Sequence, residues 1–119
     1  MIGFVSKIKI ERISASRWVT LDDLVFEIHD FASITVPMGT DTDGTSVPRF
    51  ARSLVSIWGN NSEAAVMHDY LYQMKVVPRI IADSLFMVAL FVSDVKQITT
   101  YTMFFAVRFF GKKAWNSHK

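Results

Sequence analysis

A His and an Asp stand side by side in the middle of an otherwise apolar stretch, Asn-Asn-Ser-Glu-Ala-Ala-Val-Met-His-Asp-Tyr-Leu-Tyr-Gln-Met at residues 60–74. Ser62 occupies an N-cap position and good helix formers follow it, so the pattern predicts a helix over 63–74. At helical spacing Ala64, Ala65, His68, Leu71 and Tyr72 share one broad face, with Tyr72 one turn beyond His68. Asp69 lies about 100° round the axis. A fold that buries this helix must therefore give the imidazole one partner and the carboxylate another, such as a metal ion or a nearby loop.

What can surround the helix is bounded by size and composition. A chain of 119 residues is expected to be one domain with a single core. Half of it is hydrophobic, ten residues are Phe and only 20% are charged, more apolar material than an average soluble domain carries. Some of that surplus is expected to meet a partner or a membrane. The absence of Cys excludes disulfides and thiolate-bound metals, so a zinc site would need His and carboxylates alone. A formal charge of +2, with no basic run interleaved with aromatics, gives no reason to expect nucleic acid. The start of the chain lacks a signal-peptide pattern, which points to synthesis in the cytoplasm. The longest apolar run, residues 85–92, is eight residues, against the ~20 needed to span a bilayer.

Taken in order, the first third reads as β. Phe4, Ile8 and Ile10 alternate with charged neighbours, 17–21 and 24–28 alternate again around an Asp22-Asp23 turn, and 33–36 is stopped by Pro37 and Gly39. The simplest arrangement is an antiparallel meander over 1–37. A Gly- and Asp-rich loop follows at 38–49, in which Asp43-Gly44 is a strong turn signal. That turn either holds a cation together with Asp69 or closes an Asx-turn before the next helix. Helices are predicted at 50–58, 63–74, 79–94 and 98–110, the third opened by Pro78 and the last closed by Gly111. Asp83 is expected to share an inward face with Ile80, Met87 and Leu90 and to need a partner there, His68 or Tyr72. Arg108, Lys112, Lys113, Trp115 and His118 give a basic, aromatic end, with 112–119 read as a tail. Phe104, Phe105, Phe109 and Phe110 cannot all face one core, so part of the last long helix is expected at a surface that packs on another copy, a virion protein or lipid. His29, beside Asp30, reads as a solvated turn pair. The fold class is α+β: an N-terminal antiparallel β meander followed by a bundle of three to four helices.

Three separated motifs, Thr-Asp-Gly-Thr-Ser-Val-Pro-Arg at 42–49, His-Asp-Tyr-Leu-Tyr at 68–72 and Ala82-Asp83 followed by Phe86, resemble those of a widespread uncharacterised family found largely in bacteriophages and prophages. That resemblance implies a viral setting and no settled activity. The segment at 64–72 is also similar to the active-site helix of phospholipases A2, where Ala-Ala or Cys-Cys precedes His-Asp-x-x-Tyr. This second resemblance implies that His68 is a general base, that Asp69 ligates calcium, and that Tyr72 supports a second carboxylate, Asp83, which orients the imidazole. Asp43 and Gly44 would then belong to the calcium loop.

Two functions follow. One is a phage-encoded hydrolase of the phospholipase A2 type, acting on a lipid or other ester with His68, Asp83 and Tyr72 as its catalytic group and calcium at Asp69, Asp43 and Gly44. The other is a non-enzymatic virion, tail or host-interaction protein, made in the host cytoplasm, in which His68, Tyr72 and Asp83 only lock helices together. In that case phage structural proteins, or a second copy docking through the Phe-rich helix, would be the partners.

Overall fold

The computed structural model describes residues 2–5, 7–14, 17–28, 32–42 and 62–117. The sequence-based expectations for Asp43 and Gly44, for the helix at 50–58, and for His29 and His118 lie outside the described residues.

The architecture is α+β, with six strands followed by four helices among the described residues. The strands resolve into two three-stranded antiparallel sheets rather than one continuous meander. The first sheet joins β1 (Ile2–Phe4), β4 (Leu24–Ile28) and β5 (Ala32–Val36) in the order β1-β4-β5. The second joins β2 (Ile10–Ser14), β3 (Arg17–Thr20) and β6 (Asp41–Thr42) in the order β2-β3-β6. The Asp22-Asp23 turn links β3 to β4, yet these strands do not pair. Asp23 instead accepts the Met38 amide at 2.7 Å, which draws residue 38 back and lets β6 take the edge of β3, with Trp18 opposite Thr42.

Alternation explains which sheet carries the core. In β4, Leu24 and Phe26 point inward and are paired with Val36 and Ile34 of β5. Phe4 of β1 packs its ring against Phe26 at 4.8 Å. In the second sheet β2 is largely exposed, and the buried members are Thr20 and Thr42. Thr20 answers its burial by donating to the Pro37 carbonyl at 2.9 Å and accepting the Thr40 amide at 2.9 Å.

The helices are α1 (Ser62–Met74), α2 (Arg79–Val92), α3 (Gln97–Phe110) and α4 (Lys112–Ser117). Helix α1 is the centre of the molecule, with buried residues from Ala64 to Tyr72 on almost every side. It ends at Lys75, whose left-handed φ of 52° turns the chain towards Pro78. Pro78 sits at the N-cap of α2, and its carbonyl accepts the Ala82 amide at 3.0 Å. The buried arc of α2 is Ala82, Asp83, Phe86, Ala89 and Leu90. Ile80, expected on the same face as Asp83, is instead 46% exposed. Residues three before and three after a helical position flank it on opposite sides, about 120° apart, and Asp83 stands at the edge of the arc that extends towards Phe86.

Residues 112–117 of the predicted tail form α4, with Gly111 as the joint between α3 and α4. Gly111 is not a left-handed cap, since its φ is −83°. Glycine is needed there for room. A Cβ would stand 2.3 Å from the Val107 carbonyl oxygen and 2.6 Å from the Tyr72 hydroxyl. Among the described residues no helix is long and apolar enough to cross a membrane.

Candidate active site

Asp83 is the point on which three helices converge. Its Oδ1 lies 2.7 Å from His68 Nε2 and accepts the Tyr72 hydroxyl at 2.7 Å, both from α1. Its Oδ2 accepts Arg108 Nη1 of α3 at 2.7 Å and has Arg79 Nη1, one turn earlier on α2, at 3.6 Å. His68, Tyr72 and Asp83 are all fully buried. The His68 ring is held between Tyr72 at 4.3 Å and Phe86 at 4.5 Å. Trp115 of α4 closes the far side of Tyr72 edge-on at 5.2 Å.

Burial pushes the Asp83 carboxyl up, but the hydrogen bonds from His68 and Tyr72, attraction to the His68 ring and the Arg108 hydrogen bond outweigh it. The net effect holds the group below the usual carboxylate range, so it is an anion at neutral pH. The same burial, reinforced by the hydrogen bond to Asp83, pushes the Tyr72 hydroxyl above its ordinary value, against a smaller opposing effect of Arg79. Tyr72 is thus a neutral donor. An ionised carboxylate can only accept, so the nitrogen facing it carries a proton and His68 is assigned the Nε2–H tautomer. In the neutral ring this places the basic lone pair on Nδ1.

Arg79 and Arg108 were not singled out as site residues in the sequence. Arg79 directs its fork at the end of α3, donating to the carbonyls of Val107 at 3.0 Å and Arg108 at 3.2 Å. It thereby satisfies backbone acceptors that a helix C-terminus leaves open. Arg108 belongs to α3 and not to a basic tail. The available signal was that it is the single charged residue of a 14-residue helix, which a buried acid explains.

Asp69 diverges from His68 as the helical spacing requires and faces the second sheet. Its Oδ2 accepts the Thr42 hydroxyl at 2.6 Å and the Gln73 amide at 2.9 Å. The same Gln73 nitrogen donates to the Asp41 carbonyl at 2.8 Å, which fixes the orientation of the amide. Calcium takes six to eight oxygen ligands. Asp43 and Gly44, the ligands expected to share a calcium ion with Asp69, lie outside the described residues, among which no cluster of ligating side chains is found. The structure therefore brings together His68, Tyr72 and Asp83, and sets Asp69 apart as a hydrogen-bonded tie between α1 and β6. A shallow cavity lined by Phe4, Lys7, Glu63 and Asp94 contains none of these residues.

A family model described as a protein of unknown function (DUF1353) matches residues 18–107. The chain belongs to this family. The DUF1353 match runs from β3 almost to the end of α3, so it takes in His68, Asp69, Tyr72, Arg79 and Asp83 and stops one residue before Arg108. No curated protein and no solved structure matches the chain.

Proposed function

We propose that this DUF1353 protein is a small hydrolase in which His68 is a general base oriented by Asp83, with an ester, a lipid ester among them, as substrate class. The observation that carries the reading is the 2.7 Å contact of His68 Nε2 with a carboxylate held ionised with the help of two further donors, Tyr72 and Arg108. In this reading the imidazole oriented by Asp83 takes a proton from a water as its oxygen attacks the carbonyl carbon. Asp83 stabilises the imidazolium so formed, and the proton passes on to the leaving alkoxide. Tyr72 and Arg108 act by positioning Asp83. No step is routed through calcium. The motif set supports placing the protein in a phage or prophage setting, made in the host cytoplasm or carried with the virion.

A second reading, a phage structural or host-interaction protein without turnover, is favoured by the complete burial of His68, Tyr72 and Asp83. Here the group is a cross-link between α1, α2 and α3. His68→Asn separates the two, because it keeps a hydrogen-bonding edge but provides no base near neutral pH. Hydrolysis of nitrophenyl esters and of phospholipid vesicles is expected from the wild type and should fall at least ~10²-fold in the variant. Wild-type protein with no turnover on either substrate, together with a variant destabilised by about 1–3 kcal/mol, would leave the structural reading in its place.

A further inference from the structure

The outer face of the α2–α3 hairpin carries no charge. The only charged residues on these two helices are Arg79, Asp83 and Arg108, and all three turn into the buried group. What faces outward is apolar: Ile80 and Phe91 from α2, then Ile98, Tyr101, Phe105 and Phe109 from α3. Ile98 and Phe109 are each 75% exposed, far beyond a grazing contact with solvent. The α3 members recur at helical spacing along one stripe, and Phe91 meets Tyr101 edge-on at 5.8 Å, so the two helices form one surface.

Two hydroxyls of these helices, Ser84 and Thr102, bond back to their own backbone. Ser84 donates to the Ile80 carbonyl at 2.7 Å and Thr102 to the Ile98 carbonyl at 2.7 Å, each one turn back on its own helix. Their donors are satisfied without water, as a lipid-facing helix requires. One end of the surface is basic, and the turn at the other carries one lysine beside one acid. Lys96 stands at the turn between the helices, beside Asp94, while Lys112 and Lys113 stand beyond the end of α3, all exposed. No acidic residue occurs from 95 to 117.

We infer that this face docks on the surface of an anionic lipid bilayer, the aromatic stripe entering the interface and Lys96, Lys112 and Lys113 meeting the headgroups. A second copy fits less well. Pairing two such faces in parallel about a two-fold axis sets Lys112 and Lys113 against their own copies. The inference does not rest on the hydrolase reading, since binding can be read with His68→Asn protein as well as with the wild type.

The test is flotation of the full chain with vesicles of phosphatidylcholine alone and of phosphatidylcholine mixed with phosphatidylglycerol. The wild type is expected to float with the mixed vesicles and not with the neutral ones. Phe105→Gln with Phe109→Gln should weaken binding at least about tenfold. Lys112→Gln with Lys113→Gln should weaken it about fivefold per lysine. Should the double Phe variant fail to fold, Phe109→Trp serves instead, and the emission it adds to that of the three native tryptophans, read as the difference from wild type, should shift to the blue on adding mixed vesicles. No flotation by the wild type, equal flotation with neutral vesicles, or an emission that stays fixed would overturn the inference. So would a soluble dimer that the Phe substitutions dissociate and that ignores vesicles.

Discussion

Arg108 Nη1 reaches Asp83 Oδ2 at 2.7 Å from a position 25 residues further along the chain. The contact ties the last turn of α3 to the second turn of α2, opposite the oxygen that holds His68 and Tyr72. Removing either partner leaves the other charge buried or half-buried. Asp83→Asn is expected to cost about 3–5 kcal/mol and Arg108→Met about 1–3 kcal/mol, read as shifts in urea midpoint. A neutral outcome for Asp83→Asn would show that the carboxylate contributes nothing to holding the helices.

The pH dependence follows from the two shifted groups. Asp83 is held below its ordinary value in the folded chain, so the unfolded chain binds its proton more readily. Its contribution is fully present above the unfolded value of about 3.9 and is lost as pH falls through the lower folded value. Tyr72 is raised, so its contribution is fully present below about 10 and is lost as pH rises beyond it. Unfolding midpoints measured across pH should decline at both ends. Asp83→Asn should flatten the acid limb, and Tyr72→Phe the alkaline one.

Gly111→Ala tests the room argument against the usual gain from replacing a glycine. With φ at −83°, alanine suits the backbone and would stabilise by about 0.4–1 kcal/mol through the unfolded chain alone. The added Cβ meets the Val107 carbonyl at 2.3 Å and the Tyr72 hydroxyl at 2.6 Å, an overpacking expected to cost about 1–3 kcal/mol. The melting temperature should fall, and a rise would mean that the joint between α3 and α4 can open without loss.

Much of this arrangement was legible in the residues. The inward direction of His68 and Asp83 and the divergence of Asp69 follow from helical spacing alone, because few polar positions interrupt the apolar faces. The α+β order was equally readable, from alternation before residue 37 and helical periodicity after 62. The split into two sheets was not, since it goes with contacts between segments distant in sequence, among them the Asp23 contact with the Met38 amide, 15 residues away. Nor was the role of Arg108. Its neighbours Lys112 and Lys113 made it read as part of a basic end, and only the packing of α3 on α2 shows which cation turns inward. Gly111 closes α3 as the sequence indicates, but the steric reason for glycine there lies in Tyr72, distant in sequence.

The account rests most directly on the protonation pattern of His68, which long-range proton–nitrogen correlation spectra of imidazole-labelled protein report. Comparison with His68→Asn identifies its signals among the three histidines. With Asp83 ionised and the ring neutral, the spectra should show a proton on Nε2 and a lone pair on Nδ1, and Asp83→Asn should disturb that pattern. A ring protonated at Nδ1 with the lone pair on Nε2 would contradict the orientation of the base and with it the proposed hydrolase.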